Sequence, residues 1–514
     1  MAGADELCRS FLDLWWHFDP AAATRAGVSG QDSRLGTFDA EAQRQHVAAF
    51  KSIALAVEDL EIEAADEEID RTALLDHVRV LLFRLEKERP YQTNPALWVG
   101  HACQAFDGLL VKQGEGAAAA ALDRLRALPG FLNDARQTVR QPPMLFLEAA
   151  LAEIDALELL LAEVERRFTA DWSLVGEGAG EALRDAGRAV HGMRHALASE
   201  PAPNPDPGAV AIGEEELDRR LHHEHASVHN AAEVWRATLR LAAEVEAEVT
   251  ALAAAIDPAR PWRDVYEGAA AAASGGASPL GLMAAALDGA IGFATARGFG
   301  ECGPVTVVSM APHERVFEPV ARYHSAGAGM AAVAVALPDL LALPWLGVRL
   351  GSPGLHLYHS RRAALSRIVR RHIAAASTPL GWSLYAADGI RAEGYAADPL
   401  FRLAERILFL TDVQVAVADL GIHTRQFTPD EAVGHLTARL PLSRAAAMAH
   451  VRRVSARPTE AAAAILGWRE FRRLEADTRA ARGADFDLRR FHDDILGYGG
   501  LPVPLMRWGM GLDG

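Results

Sequence analysis

Apolar and polar residues alternate with a helical period along most of the chain. Residues 48–60 and 69–85 are amphipathic stretches, and the second follows an acidic run that suits the amino terminus of a helix. Residues 145–168 form a long leucine-rich stretch, and residues 214–256 have the pattern of one long helix. The pattern therefore predicts a mainly α-helical chain.

Residues 269–355 depart from this pattern. The segment begins with a low-complexity run of alanine and glycine and contains β-prone pieces such as residues 305–309. Helical periodicity then returns and continues to the last residue. We therefore expect one continuous structural unit with an N-terminal helical half, residues 1–268, and a C-terminal half, residues 269–514, that contains a few short strands and the functional helices.

Composition supports a large globular protein and excludes one class of partner. The chain has 514 residues, of which 50% are hydrophobic and 23% charged, with a formal net charge of −16. A surface this acidic repels nucleic-acid phosphates. The densest basic stretch, residues 361–371, contains five arginines, which we interpret as the solvated face of one helix. We expect no nucleic-acid partner.

Cysteine spacing and terminal charge bear on the compartment. The three cysteines lie far apart and form no CxxC pair, which argues against a disulfide framework and a zinc ribbon. Asp5 and Glu6 stand where a signal peptide carries basic residues, and no apolar segment precedes Cys8. The most apolar segment, residues 326–348, is interrupted by two prolines and an aspartate, which a membrane-spanning helix tolerates badly. These features predict a cytoplasmic protein without a membrane partner.

A histidine-rich stretch near residue 225 has two interpretations. His222, His225 and His229 would share one face of a continuous helix, and three imidazoles in a stripe can hold a transition metal. We favour a solvated polar face, with metal binding as the alternative. The chain contains no HExxH zinc motif, no GxSxG nucleophile motif and no P-loop.

Three blocks in a fixed order carry a family resemblance. They are FLDLWWHFDPAAATRAGVSGQDSRL at residues 11–35, the block at residues 381–433 that begins GWSLYAADGIRAEGY, and FDLRRFHDDILGYGGLPVPLM at residues 486–506. In this order the chain resembles the DUF885 family, bacterial helical proteins similar to gluzincin-type zinc metallopeptidases. The resemblance implies a large helical body with a central cleft and a metallopeptidase-like architecture.

The chain departs from the family at the residues that would hold zinc. The family signature, HExxPGHH followed by EGWALYAE, implies two histidine ligands, a glutamate ligand and a glutamate base. Here the corresponding positions hold Arg349, Leu350, Leu355 and Leu380, and a later family tyrosine is replaced by Ala464. Zinc needs several imidazole, thiolate or carboxylate ligands, whereas leucine offers no donor atom and arginine repels a dication. We therefore expect a retained scaffold without a metal or any other cofactor.

The residues that remain around this position define the expected site. His356 and His359 lie one helical turn apart, so we expect His356 to carry protons and Arg349 to bind a carboxylate or an oxyanion. Arg349 would otherwise pair with a protein carboxylate, for which Asp388, Glu393 and Asp419 are the candidates. The expected catalytic residues are His356, Arg349, His359, Tyr358 and Tyr385, and the expected substrate-binding residues are Asp419, His423 and Trp382.

Each of these site residues also has a structural interpretation. They could be packing and hydrogen-bonding residues of a pseudoenzyme, and Asp419 and His423 could simply fix the end of a helix. We expect a metal-free repurposed enzyme that acts on a small molecule or peptide-like ligand in the cleft, with specialised metabolism as one setting. The alternatives are an inactive binding or scaffolding protein and, if the alignment around Pro353-Gly354 is shifted, an ordinary peptidase.

Overall fold

The computed structural model describes most of the chain. The described residues are 3–112, 115–170, 178–199, 202–273, 278–316, 320–325, 331–336 and 339–512. Parts of the low-complexity run after residue 269 and of the apolar segment 326–348 lie outside these ranges.

Helices dominate the described residues, and we number them in chain order. They are α1 (Ala4–Phe18), α2 (Pro20–Arg25), α3 (Ala40–Glu58), α4 (Ala65–Phe83), α5 (Pro90–Thr93), α6 (Pro95–Leu110), α7 (Glu115–Thr138), α8 (Met144–Ala170), α9 (Ala179–Ser199), α10 (Glu214–His225), α11 (Ala231–Ile256), α12 (Trp262–Ala273), α13 (Pro279–Ala296), α14 (Leu343–Leu350), α15 (Leu355–Ala363), α16 (Ile368–His372), α17 (Ser377–Ala392), α18 (Pro399–His423), α19 (Pro429–Arg439), α20 (Arg444–Ala456), α21 (Glu460–Arg482), α22 (Leu488–Leu496) and α23 (Val503–Gly509). A π-helical turn, Arg84–Glu88, extends α4, and short 3₁₀ turns occur at Pro207–Val210, Glu314–Val316 and Gly483–Asp485.

The predicted mainly α-helical fold is confirmed. Helices α3, α4 and α8 cover the amphipathic and leucine-rich stretches of the first half. The strands are β1 (Val305–Ser309), β2 (Ala321–His324) and β3 (Ala331–Val335), and β1 has the bounds of the predicted β-prone piece.

The strands form one small sheet in the order β1-β3-β2. Strand β1 runs parallel to β3, and β2 runs antiparallel to it. Val333 and Val335 of β3 share a hydrophobic cluster with Met283 and Leu287 of α13. The sheet therefore rests on a helix and forms no layer of its own.

The prediction of one helix over residues 214–256 is wrong. The chain turns between α10 and α11 because Ala226 adopts a left-handed conformation, with φ of 52°. Asn230 and Glu233 then form a capping box that starts α11. The spacing of apolar residues continues across this turn, so the sequence pattern does not reveal it. His229 lies between α10 and α11 and belongs to neither helix.

The interpretation of residues 361–371 as one solvated helix face is also wrong. Two of these arginines lie in α15 and two in α16, and Arg367 directly precedes α16. Arg370 is buried, and its Nε donates to Asp70 Oδ1 at 2.8 Å, while Arg367 Nη1 donates to Asp70 Oδ2 at 2.5 Å. Buried charges persist in proteins when they are paired, and the partner here lies 300 residues away in the sequence.

Two large hydrophobic clusters make up most of the core. The first is built mainly from residues 4–197, with a small contribution from residues 368–373 and from Leu501 and Leu505. The second is built mainly from residues 242–506. Helix α16 belongs to the C-terminal half of the chain but packs in the first cluster, so the two predicted halves share a core. The boundary at residue 268 stays a prediction.

Helix α13 is the one described helix that is long and apolar enough to cross a membrane by length and composition. Its mean hydropathy is 1.4 over 18 residues, and 22% of that window is buried. The buried residues Met283, Leu287, Ala290 and Ala294 lie on one side of the helix. Length and composition do not separate a membrane span from a helix that packs on a protein core.

Candidate functional site

Helices α14, α15 and α17 meet where the family resemblance places the zinc site. Trp382 Nε1 donates to the Pro353 carbonyl oxygen at 2.7 Å, and Ser383 Oγ donates to the Arg349 carbonyl oxygen at 3.0 Å. A Cβ on Gly354 would lie 2.2 Å from the same Arg349 oxygen, so only glycine fits there. The residues kept from the family motifs therefore hold the three helices together.

Arg349 forms an ion pair with Asp412 of α18. Its Nη2 lies 2.7 Å from Asp412 Oδ2, and the two side chains are 21% and 29% exposed. Burial raises the pKa of Asp412, and the Arg349 guanidinium opposes that rise. The partner of Arg349 is thus none of the three expected carboxylates. Asp412 matches the charge of this arginine, which stands where the family resemblance places the first zinc ligand.

The donor set at this position does not fit zinc. Leu350, Leu355 and Leu380 supply no lone pairs, and Arg349 supplies only a cation. Within the described ranges, no group of three or more histidine, cysteine, aspartate or glutamate side chains could hold a metal ion.

The histidine-rich stretch forms neither the favoured solvated face, because His225 is buried, nor the alternative metal stripe within the described residues. His225 is buried, with Nε2 3.1 Å from Thr459 Oγ1, whereas His222 and His229 are exposed. His229 Nδ1 lies 3.4 Å from Glu233 Oε2, in the connection before α11. The break between α10 and α11 separates the three rings.

His356, the expected proton carrier, has both ring nitrogens engaged. Its Nε2 donates to the Gly303 carbonyl oxygen at 2.7 Å, and the Tyr323 hydroxyl donates to its Nδ1 at 3.1 Å. The two contacts hold the ring in one orientation.

The expected aromatic site residues lie in the core. The Tyr385 hydroxyl donates to Glu475 Oε2 at 2.8 Å and lies 3.0 Å from His492 Nε2. The Tyr358 hydroxyl donates to the Gly499 carbonyl oxygen at 3.2 Å. Trp382 is fully buried. These contacts give all three expected residues a structural role.

Asp419 and His423 fix helix ends, as in the alternative interpretation. The Asp419 carboxylate accepts hydrogen bonds from the backbone N–H groups of Thr459, Ala461 and Ala462, each at 3.1 Å, at the start of α21. His423 Nε2 donates to the Val454 carbonyl oxygen at 3.0 Å. Both side chains are fully buried.

His359 differs from the other expected residues because it faces accessible space. Leu355, His359 and Arg362 follow the helical spacing of one face of α15, and all three side chains are partly exposed. The His359 ring stacks on Tyr323, with ring centroids 5.4 Å apart, and neither nitrogen has a hydrogen-bond partner within the described residues.

A cavity of about 160 Å³ lies between α4, α10 and the segment that leads into α17. We call it the histidine cavity. Asp76 Oδ1 lies 2.8 Å from His223 Nδ1 in its wall, and Trp15 supplies an aromatic surface. Its polar wall consists of Asp76, His77, Arg84, His223 and Glu224.

Arg362 does not line this cavity, but its charge acts on His77, which does. Burial, together with nearby guanidinium groups, lowers the pKa values of His77, His359 and His372 to about 4; Arg362 acts on all three rings, Arg84 also acts on His77, and Arg371 also acts on His372. Glu224 opposes the shift at His77. The Nε atom of Arg362 is buried without a hydrogen-bond partner, and no described carboxylate lies within ion-pair distance of its guanidinium.

The arrangement therefore combines neutral imidazoles with three guanidinium groups, those of Arg84, Arg362 and Arg371. His372 Nε2 accepts a hydrogen bond from Arg371 Nε at 3.1 Å, which requires a neutral ring. The ring nitrogens of His77 have no hydrogen-bond partner within the described residues, and its ring packs edge-on against Phe11. Such a set can bind an anion and exchange protons with it.

Sequence reasoning found His359 and missed the rest of this cluster. Its other members are His77, Arg362, His372 and Glu224, which belong to four different helices. Arg362 follows His359 by one helical turn, and this spacing was the one sequence feature that could have linked Arg362 to the cluster. No motif marks His77 or Glu224.

The fold defines a class: a large, mainly α-helical protein with one small three-stranded sheet among its described residues. The family model described as "Bacterial protein of unknown function (DUF885)" matches residues 20–510. The chain belongs to the DUF885 family. A search of curated proteins gives no match.

Solved structures extend the fold comparison. A "putative lipoprotein of unknown function" from Shewanella oneidensis is 16% identical with a TM-score of 0.77, and the match covers 99% of this chain and 100% of the other. A "putative lipoprotein" from Colwellia psychrerythraea is 15% identical with a TM-score of 0.85, and the match covers both chains completely. At these identities the likeness establishes the fold.

Proposed function

We propose that this protein is a metal-free enzyme that binds a small anionic molecule in the histidine cavity and acts on it by proton transfer. The observation that carries the proposal is the charge of the Arg362 guanidinium, which acts on three neutral histidines, one of them His77 in the cavity wall, and has no carboxylate within ion-pair distance among the described residues. A cation without a carboxylate partner favours a ligand that brings a negative charge, and Arg84 in the wall of the cavity adds a second positive charge.

The residues would have distinct roles in this reaction. Arg362 would hold a carboxylate of the substrate through paired hydrogen bonds. His77 would accept the proton, since its ring is neutral near pH 7, and Glu224 would stabilise the imidazolium that forms. In the hydrolysis of an ester, lactone or amide, His77 would take this proton from the attacking water and return it to the leaving oxygen or nitrogen, so the cycle needs no metal and no redox partner.

The first experiment separates anion binding from general charge effects. We compare the wild type with Arg362→Gln and with the matched control Arg361→Gln, whose side chain is 38% exposed and pairs with Asp493. Calorimetric titrations with acetate, succinate and inorganic phosphate should give saturable binding in the wild type and the control. At least tenfold weaker binding is expected in Arg362→Gln.

The second experiment separates catalysis from binding. Turnover of carboxylate-bearing esters, lactones and amides should survive a chelator and should be lost in His77→Gln, while binding is retained. His229→Gln is the control, because that ring is exposed and lies away from the cavity. Turnover that the chelator abolishes would overturn the proposal and favour an ordinary peptidase.

A binding protein without catalysis is the second candidate. It is favoured by the hydrogen bonds that hold His356, Tyr358 and Tyr385 in structural roles. Saturable anion binding without turnover in the wild type would establish it. Genomic neighbourhood adds a further test, since a biosynthetic gene cluster favours the enzyme in specialised metabolism.

The cytoplasmic location stays a prediction. Two structural neighbours are described as lipoproteins, so a lipid-anchored location is its alternative. Cell fractionation with a detergent-extracted membrane sample distinguishes the two.

A further inference from the structure

A second cavity, of about 340 Å³, lies on the other side of Arg84 from the histidine cavity. It is bounded by the π-helical turn after α4, by α10 and by the end of α20. We call it the glutamate cavity, because Glu88 and Glu216 line it. Arg84 lines both cavities.

Three of its lining residues have buried polar atoms without hydrogen-bond partners. They are Glu216 Oε2, Arg220 Nε and Ser455 Oγ, and their residues are 7%, 4% and 3% exposed. Arg219 Nε lies 3.2 Å from Glu216 Oε2, but both atoms remain without a hydrogen bond. Glu216 Oε2 and Arg220 Nε thus lie in ion pairs without a hydrogen bond, and Ser455 Oγ has neither. Buried polar atoms without hydrogen bonds are uncommon in folded proteins, and a group bound in the cavity would supply the missing ones.

The charges in this cavity compensate one another. The π-helical turn ends at Glu88, whose Oε1 accepts a hydrogen bond from Arg220 Nη2. Arg220 Nε lies 3.5 Å from Glu216 Oε1, so one guanidinium is shared by two carboxyl groups. Burial and the neighbouring Glu88 raise the pKa of Glu216 to about 7. A ligand with a full charge would disturb this balance, whereas a neutral one would not.

A ligand that forms hydrogen bonds with all of these atoms must carry both a hydrogen-bond acceptor and a hydrogen-bond donor. The Arg220 N–H and the Ser455 hydroxyl need an acceptor, and the Glu216 oxygen needs a donor. Apolar side chains, among them Phe83, Leu97 and Phe146, form the adjoining wall. We propose that the glutamate cavity binds an uncharged organic molecule through a carboxamide group, with its apolar part against this wall.

The test uses three probes of one shape. N-acetyl-leucine amide is neutral, N-acetyl-leucine carries a carboxylate, and leucine amide carries an ammonium group. Protein-detected NMR titrations of the full chain should show saturable binding of the neutral probe, with shifts at Ala209 and Ile212, which line the cavity. The two charged probes should bind at least tenfold more weakly.

Ser455→Ala removes one donor with minimal change in volume and should weaken binding of the neutral probe three- to tenfold. Glu216→Gln is a second variant, and Ser52→Ala on exposed α3 is the matched control. Equal binding of all three probes, no binding at all, or binding unchanged in both cavity variants would overturn the proposal and leave ordered water as the occupant. Because Arg362 lies outside this cavity, Arg362→Gln tests the proposed function separately.

Discussion

Arg349 of α14 has its counterion on another helix. The Asp412 carboxylate lies 2.7 Å away on α18, so the charge of the guanidinium is matched. Partly buried charges are stable in proteins when they are paired. The pair therefore joins α14 to α18.

Removing either partner of this pair should destabilise the fold. We expect Arg349→Ala and Asp412→Ala each to lower the free energy of unfolding by about 1–3 kcal/mol, because each leaves a partly buried charge unpaired. In the double variant the loss should be smaller than the sum of the two, as chemical denaturation of all four proteins will show. Arg349→Lys should recover part of the loss. Strict additivity would mean that the two side chains do not interact.

At the scale of residues, the sequence predicted which side chains stand at the motif positions but few of the contacts that those side chains make. The amino-acid sequence alone shows that Arg349, Leu355 and Leu380 offer no zinc-ligating atom. That Asp412 is the partner of Arg349, or that the charge of Arg362 acts on His77, follows only from helix packing. Side chains on different helices have no fixed sequence spacing, so no pattern could have indicated these pairs.

At the scale of elements, glycines set the closest helix contact in the C-terminal half. Helices α17 and α21 cross where Gly381 meets Gly467. A Cβ on Gly467 would lie 1.9 Å from the Ser377 carbonyl oxygen. Gly467 therefore serves the packing of α21 against α17.

Gly467→Ala should therefore destabilise the protein strongly. We expect a loss of more than about 2 kcal/mol, since the clash is with backbone that cannot move independently. Gly187→Ala in α9 is the matched control, because nothing lies within 4 Å of its added methyl group. That change should be neutral or stabilise by up to about 1 kcal/mol. Equal thermal denaturation midpoints for the two variants would contradict this packing account.

Element prediction from the sequence worked for long periodic segments and failed at breaks. Helices α3, α4 and α8 and strand β1 follow from periodicity and β-propensity. The turn between α10 and α11 was missed because the apolar period continues through it, although Asn230 and Glu233 were a readable capping signal. The sequence did not reveal that residues 361–371 are divided between two helices, because two of these arginines pair with a buried carboxylate that lies far away in the sequence.

At the scale of the whole molecule, Asp70 of α4 connects the first half of the chain to α16. Its carboxylate is 3% exposed and contacts both Arg367 and Arg370. Asp70→Asn should lower the free energy of unfolding by about 3–5 kcal/mol, because Arg370 would be left buried with weakened pairing. Urea denaturation measures this loss, and Asp430→Asn, on the exposed Arg444 pair, should change it by less than about 1 kcal/mol.

Buried histidines should make the whole fold sensitive to acid. Burial lowers the pKa values of His423 and His492 to about 4, so both rings are neutral in the folded chain, whereas the unfolded chain protonates them below about 6.5. The free energy of unfolding should then fall as the pH falls from 6.5 towards 4. Each fully buried ring contributes on the order of 3 kcal/mol to this fall.

His492→Gln should reduce the slope of stability against pH in that interval, since glutamine keeps a hydrogen bond to Tyr385 but cannot be protonated there. The exposed ring of His229 provides the control, and His229→Gln should leave the slope unchanged. A slope that is the same in all three proteins would show that His492 does not titrate differently on unfolding.

The most direct test of the central claim is a histidine-selective NMR titration at pH 7 with succinate. We expect neutral rings for His77, His359 and His372 and saturable shifts of these resonances in the wild type and in Arg361→Gln, with none in Arg362→Gln. Added zinc should leave the same resonances unchanged. Charged imidazoles in the free protein, equal succinate shifts in Arg362→Gln, or stoichiometric zinc binding at these rings would contradict a metal-free anion site.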